Sequence, residues 1–392
     1  MTAANRSAGP TAAPAVPARV VSSGLLLPQA RIPRIPLAEW AETLSRRLAR
    51  CRTAFLPPRE LALEVAGISN NAALLAALHG DRDQAWTLCE RQIEWQHRCS
   101  RRVGDPAIAA HGVQPFVNLG RLEALAGNWE EALARFARLK GYRSEGEVDL
   151  GQVCVERAGW QAVSGSREDF DRLLENMYVV DSLKALLQNR RFEEALVFTA
   201  ELRPQIRPEL LLLAREAEVV AWSWIGRHRH ARRVAEDAAR ETRAWERAVF
   251  RLRLGETLGA SGDVEGAATA LRPLAEVAAQ LSPGRRRDLQ VLYVLVRLVG
   301  ACAETGLVEA ATAVARAAYE GARATGDEVF QIECLRFLTS AAPADERDGW
   351  CEALEALERS TLYERYRLGD AQALPSTPIE RLYTQLGEFL AA

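Results

Sequence analysis

Residues 113–139 read VQPFVNLGRLEALAGNWEEALARFARL, and this stretch decides the fold. Apolar residues recur at helical spacing on both sides of Gly127, which predicts two amphipathic helices joined by a short turn. A glycine can adopt positive φ and so end the first helix. Ala132, on the second helix, is small enough to let the two helices approach closely. The stretch therefore predicts a helix hairpin.

The same glycine–alanine spacing of five residues recurs along the chain. The pairs are Gly80/Ala85, Gly127/Ala132, Gly226/Ala231, Gly262/Ala267 and Gly306/Ala311. Ala195 marks a weaker unit, and the long step from Ala132 to Ala195 predicts a further hairpin over residues 153–177 with its turn near Gly165. From Leu37 onward the pattern is helical, without the alternation of a β-strand.

Nine residues carry a resemblance to a known family. They are Phe116, Leu119, Gly120, Gly127, Ala132 and Phe136 in the first unit, and Gly255, Gly262 and Ala267 in a second. Their order and spacing resemble the tetratricopeptide repeat, although Glu123 stands where the family has tyrosine. The resemblance implies an all-α fold, a right-handed α-solenoid of about seven tetratricopeptide-like hairpins.

Three regions follow from this pattern. Residues 1–36 carry no acidic side chain and four arginines, a charge of +4, which leaves −6 for the rest of a chain whose total is −2. This Pro/Ala-rich basic arm is predicted to be disordered. Residues 37–374 form the repeat array. Residues 375–392 are expected to form a C-terminal capping helix, because Thr377-Pro378-Ile379-Glu380 is a helix-start signal.

Composition excludes several classes of protein. A chain of 392 residues, 48% of them hydrophobic, can bury a sizeable core, which excludes a fully disordered or disulfide-scaffold protein. No apolar run reaches the roughly 18 residues of a membrane span, and a net charge of −2 is not the basic excess of a nucleic-acid binder. Lys140 and Lys184 are the only lysines among 50 basic residues, and the seven cysteines are irregularly spaced. We expect a bacterial, cytoplasmic protein with reduced thiols.

No metal, cofactor or catalytic motif is predicted. His228 and His230 point apart on a helix, and Cys89 and His97 would lie about 12 Å apart along one, too far to share a zinc ion. The chain has no Gly-rich phosphate loop, HExxH or GxSxG. A Cys/His pair brought together by the fold stays open as an alternative.

The resemblance also implies a binding groove, because the first helix of each hairpin lines the concave face in that family. The matching positions are Asn70, Gln114, Arg121, Lys184, Gln188, Glu216, Trp224, Glu256, Tyr293 and Glu304. The first half of this set is neutral or basic and the second half acidic, so an acidic partner segment is expected near Arg121 and Lys184. Trp224 is a candidate aromatic anchor. The alternative is that these are ordinary solvent-facing side chains.

These expectations favour a noncatalytic adaptor that holds a protein or peptide segment in the groove, without nucleic acid, membrane or cofactor. Two alternatives remain. One is a regulatory protein that senses a small ligand or peptide. The other is an enzyme, or an enzyme subunit, of a specialised bacterial pathway.

Overall fold

The computed structural model describes residues 37–78, 80–140, 147–150, 154–156, 159, 167–242, 244–360 and 376–391. The arm predicted over residues 1–36 and the turn predicted at Gly165 lie outside these ranges. The helices are α1 Leu37–Thr53, α2 Pro58–Leu78, α3 Arg82–Val103, α4 Pro106–Ala110, α5 Val113–Ala126, α6 Trp129–Arg138, α7 Arg167–Gln188, α8 Phe192–Leu202, α9 Pro208–Trp224, α10 His228–Glu241, α11 Ala244–Ala260, α12 Val264–Ala279, α13 Pro283–Arg286, α14 Leu289–Glu304, α15 Val308–Thr325, α16 Glu328–Ala341, α17 Ala344–Ser360 and α18 Ser376–Ala391.

Helices that follow one another in the chain pack together in pairs. Six of these pairs are joined at the turns identified from the sequence, five by a glycine–alanine spacing and one before Ala195: α2/α3, α5/α6, α7/α8, α9/α10, α11/α12 and α14/α15. Gly104 and Gly326, which end α3 and α15, also have positive φ. From α7 onward, the first helix of each pair also packs against both helices of the pair before it. The prediction of an all-helical protein with neighbouring helices in contact is confirmed.

The six turns share one backbone conformation. Their first helices end at residues with φ between 57° and 91°: Gly80, Gly127, Arg190, Gly226, Gly262 and Gly306. In each turn the next N–H donates to the carbonyl five residues back, as Asn128 N does to Glu123 O at 3.0 Å. This bond satisfies a carbonyl that the helix end would otherwise leave unpaired. The alanine five residues after each turn residue is at most 1% exposed.

Arg190 stands where the other five turns have glycine, and its φ is 57°. The left-handed region costs a residue with a Cβ about 1–2 kcal/mol. The unit around Ala195 is therefore weak in sequence because its turn glycine is replaced, although its backbone follows the common path.

The two helices of a hairpin approach closely where one of them carries glycine. A Cβ added to Gly120 would lie 2.5 Å from the Phe136 ring, and one added to Gly255 would lie 2.4 Å from Leu271. Both contacts join residues 16 positions apart. The buried residues at these two positions in the six hairpins are Ala73 and Cys89, Gly120 and Phe136, Leu183 and Thr199, Val219 and Ala235, Gly255 and Leu271, and Val299 and Ala315. In five of the six hairpins a larger residue on one helix corresponds to a smaller one on the other, whereas Ala73 and Cys89 are both small.

Two short strands, at residues 147–149 and 154–156, are the exception to the helical pattern in the described part of the chain. Strand β1, Glu147–Asp149, pairs antiparallel with strand β2, Cys154–Glu156, in the register Val148 to Val155. Both valines are fully buried. The predicted helix hairpin over residues 153–177 is wrong at its start, because this segment forms β2. The alternation of Val148, Leu150, Val153 and Val155 was the signal for strands, but it is too short to stand out beside long helices.

The C-terminal helix α18 packs against the N-terminal helices α1, α2 and α3. Ile379, Leu382, Leu386 and Leu390 are at most 1% exposed and join the same core as Leu44 of α1. Arg52 donates to the Gln385 carbonyl at 2.9 Å, and Arg98 donates to that of Leu390. The Leu390 carbonyl is one of the last four of α18, which have no partner within the helix, so Arg98 satisfies it and its positive charge favours the helix dipole. α18 thus covers the edge formed by the N-terminal helices α1, α2 and α3.

Candidate functional site

Polar side chains form a line across the first helices of successive hairpins. On α5, Gln114, Asn118 and Arg121 are spaced i, i+4 and i+7, so they share one face. Asp181 and Lys184 are placed in the same way on α7. We call the hydrogen-bonded or ion-paired members of this set the first-helix line. They are Asn70, Gln114, Asn118, Arg121, Asp181, Lys184, Glu216, Arg253, Glu256 and Arg297.

The N-terminal part of the line centres on Arg121. Its Nε and Nη2 donate to the two carboxylate oxygens of Asp181 at 2.8 and 3.0 Å, and its Nη1 donates to Asn118 at 3.1 Å. Asn118 in turn donates to Asn70 on α2 at 3.3 Å. Asp181 is 3% exposed, whereas the Arg121 side chain is 41% exposed. The bidentate pair therefore joins α5 to α7 with one side open to solvent.

Lys184 lies one helical turn after Asp181. Burial lowers its pKa to about 8, with a further lowering by Arg121 that the Asp181 carboxylate opposes. Removing an ammonium group from water disfavours its charged form, which is the physical cause of the larger effect. Lys184 is thus a half-buried amine that lies beside an ion pair.

The C-terminal part of the line is a chain of alternating charges. Arg253 on α11 donates to Glu216 on α9 at 2.9 and 3.0 Å, and to Glu256 at 2.7 Å. Arg297 on α14 donates to the other oxygen of Glu256 at 2.5 and 3.0 Å. Burial opposes the ionisation of Glu256, but Arg297 and Arg253 outweigh it and lower its pKa. Three first helices are connected through paired charges, as a buried charge requires.

Sequence reasoning missed four members of the line: Asn118, Asp181, Arg253 and Arg297. Asn118, Asp181 and Arg253 lie three residues before Arg121, Lys184 and Glu256, respectively, on the same helix faces. The available signal was charge: in two of the three cases, Asp181 and Arg253, the residue three positions earlier has the opposite charge to the predicted groove residue. The predicted charge difference between the two halves of the groove is therefore locally offset by Asp181 in one half and by two arginines in the other.

The ten predicted groove residues differ in accessibility. Glu216 and Tyr293 are 0% and 6% exposed, so neither can contact a partner directly in this conformation. The exposed members are Gln188, Trp224 and Glu304. The pKa of Glu304 is raised by burial and by the nearby Glu256 carboxylate, an effect that Arg297 opposes.

Trp224 is not a member of the first-helix line. It is the last residue of α9, and its ring stacks on Phe192 of α8 with centroids 5.6 Å apart. More than half of the Trp224 side chain, 54%, remains exposed. The structure places it at the turn end of the hairpins.

The described residues contain no group of three or more His, Cys, Asp and Glu that is arranged to hold a metal ion. The ring of His230 stacks on Trp222 with centroids 5.0 Å apart. Burial raises the pKa of the Cys89 thiol to about 12, which disfavours the thiolate form. All seven cysteines are free thiols.

An open cleft of about 300 Å³ lies beside α7. Its lining residues are Glu168, Asp171, Arg172, Glu175, Gln205, Ile206 and Arg207. Arg207 donates to Glu175 at 2.6 Å, and Arg172 to Glu168 at 2.6 Å. Four of the five charged side chains that line the cleft form these two pairs, and neither histidine nor cysteine is among its lining residues.

No family model matches the chain, and no curated protein matches its sequence. The tetratricopeptide-like character stays a prediction from residues and spacing. Across the described ranges, every helix is too short or too polar to cross a bilayer.

Proposed function

We propose that this protein is a noncatalytic adaptor that binds a segment of a partner protein along the first-helix line, in the groove of a right-handed, tetratricopeptide-like superhelix. The observation that carries the proposal is the packing of successive first helices α7, α9, α11, α14 and α16 against one another. Packed helices lie about 8–10 Å apart, and an extended peptide advances about 3.3 Å per residue. A partner segment crossing these helices would present about three residues to each.

An acidic partner segment remains part of the proposal near Arg121 and Lys184. Each of the three guanidinium nitrogens of Arg121 already donates to Asp181 or Asn118. A partner carboxylate would therefore compete with Asp181 for Arg121. Asp181→Asn should strengthen binding of an acidic segment at least fivefold, whereas Arg121→Gln should weaken it; unchanged affinity in both variants would exclude this part of the proposal.

Site-specific photo-crosslinking in the full-length protein tests the groove. A photoreactive residue would replace Gln114 or Glu304 in two separate variants, and Arg233, whose side chain is 85% exposed on second helix α10, in the control. We expect the same partner to be captured from both first-helix positions and not from position 233. Capture of one partner at all three positions, or at none, would contradict the groove. A sensor would instead show a ligand-dependent change in X-ray scattering, and an enzyme would turn over a substrate without a stable partner.

A further inference from the structure

Three turns lie together at one edge of the helix pairs. Asn189, in the α7/α8 turn, donates to the Ala124 carbonyl at the end of α5 at 3.0 Å. The Arg191 guanidinium lies 4.5 Å from the ring centroid of Trp129, the first residue of α6. The Phe192–Trp224 stack connects the α7/α8 turn to the α9/α10 turn. We define the turn edge as residues 188–192 and 224–230 together with Trp129.

Trp224 gives the turn edge a preformed apolar platform. Its ring is nearly parallel to that of Phe192, with an angle of 11° between the planes. Phe192 is only 8% exposed, so the buried ring fixes the orientation of the exposed one. A tryptophan held in this way loses little further side-chain freedom when a ligand packs on it. Leu125, near the end of α5, is also 55% exposed.

The turn edge is basic in a chain whose net charge is −2. Residues 188–192 and 224–230 contain Arg190, Arg191, Arg227 and Arg229 and no acidic residue. Arg190, Arg227 and Arg229 are exposed, while Arg191 is ion-paired with Glu194. Arginines beside an exposed aromatic ring provide charge-assisted hydrogen bonds together with a stacking surface.

Arg190 adds an independent indication of function. It holds a left-handed backbone conformation that the other five turns give to glycine. Strained residues of this kind concentrate at functional sites, because a specific side chain is needed there. The exposed guanidinium of Arg190 is the group that glycine could not supply.

We propose that the turn edge is a second interaction surface, which binds an acidic protein segment bearing an aromatic side chain. The aromatic ring would pack on Trp224, and carboxylates would pair with Arg190, Arg227 and Arg229. This surface lies at the turn ends of the hairpins and is additional to the groove of the proposed function. Single-stranded nucleic acid also offers rings and negative charge. Exposed Glu130, Glu131 and Glu193 border the edge and disfavour a continuous phosphate backbone more than a few separate carboxylates.

Fluorescence anisotropy with the full-length protein tests the proposal. The probe is a fluorescein-labelled nonapeptide with a central tryptophan flanked by aspartate and glutamate; the comparison probes are its Asn/Gln analogue and decathymidylate. We expect the acidic peptide to bind at least tenfold more tightly than the analogue, and more weakly as salt rises. Equal binding of both peptides, or tighter binding of decathymidylate, would overturn the proposal.

Variants locate the binding. Trp224→Ala and the double variant R227Q/R229Q should each raise the Kd of the acidic peptide about tenfold. The control R232Q/R233Q makes the same charge change on the same helix and should alter the Kd less than twofold. The exposed arginine variants are expected to fold, so wild-type affinity in R227Q/R229Q would exclude the surface even if Trp224→Ala unfolds.

Arg190 has its own test. Arg190→Gly should raise the melting temperature of the protein and raise the Kd of the acidic peptide. Arg190→Lys should keep both the strained left-handed backbone and most of the affinity for the peptide. If Arg190→Gly binds as the wild type does, Arg190 has no part in binding. Asp181→Asn should tighten an acidic peptide that binds in the groove but not one that binds at the turn edge. A peptide that is weakened by R227Q/R229Q and unaffected by Asp181→Asn is therefore bound at the turn edge, whereas the reverse result places it in the groove.

Discussion

At the residue scale, Lys184 is a member of the first-helix line that lowers the stability of the fold. Its ammonium group is largely removed from water and lies near the Arg121 guanidinium. A charge in such surroundings is retained at a free-energy cost that Asp181 offsets only in part. The folded protein therefore releases this proton more readily than the unfolded chain.

Lys184→Met should make the protein more stable at neutral pH. The pKa of Lys184 in the folded protein is about 8, while that of an unfolded lysine is near 10.4. The free-energy cost of burying the charged ammonium group is therefore fully present below pH 8 and decreases as the pH rises towards 10.4. We expect a gain of about 1–3 kcal/mol at pH 7 that shrinks across this window, measured by urea unfolding at a series of pH values.

The matched control is Lys140→Met, which changes the chain's other lysine, an exposed one. Lys140→Met loses the contact of the ammonium group with the Tyr178 ring, so its stability should fall by about 0.5–1 kcal/mol rather than rise at pH 7. A Lys184→Met advantage that is the same at pH 7 and pH 10 would show that the ammonium charge is not the cause.

At the scale of the element, the larger residue at the close contact between the helices of a hairpin can lie on either helix. Gly120 faces Phe136, whereas Val219 and Ala235 occupy the corresponding positions of another hairpin. The contact thus depends on the combined size of the two residues. A glycine signature detects only the hairpins that place the large residue on the second helix.

A size swap in the α11/α12 hairpin tests this fit. Gly255→Val should overpack the contact with Leu271 and cost about 1–3 kcal/mol, and Leu271→Ala should leave a cavity and cost about 2–5 kcal/mol. Together they recreate the Val219/Ala235 combination, so the double variant should lose less than the sum by at least about 1 kcal/mol. Chemical unfolding of the four proteins measures this coupling, and strict additivity would contradict it.

The elements themselves were predictable because their signals are local. A turn glycine and the alanine after it lie five residues apart, and helical periodicity spans a dozen. The partners of the first-helix line were not predictable in this way, since Asp181 lies 60 residues from Arg121 and Arg297 lies 41 from Glu256. Only the packing of successive hairpins identifies which charges meet.

For the whole molecule, α18 connects the two ends of the described chain. In a simple row of repeats each unit contacts only its neighbours, so stability is a sum of local terms. The packing of α18 on α1 adds a contact between distant parts of the sequence. Destabilising α18 should therefore also destabilise α1.

Leu386→Asp should detach α18, because Leu386 is fully buried in the core that includes Leu44. We expect amide hydrogen exchange in α1 to accelerate at least tenfold, although the substitution lies more than 300 positions away. Thr384→Asp, on the exposed side of the same helix, is the control and should leave α1 protected. Unchanged exchange in α1 of the Leu386→Asp protein would show that α18 does not protect it.

The docking of α18 also has a consequence for biosynthesis. Thr53, the end of α1, and Ser376, the start of α18, are 323 positions apart. At about 5–20 residues per second, translation needs roughly 20–60 s to cover that distance. During this time the apolar face of α1 around Leu44 lacks its cover, so the nascent chain offers chaperones a binding site that the finished protein buries.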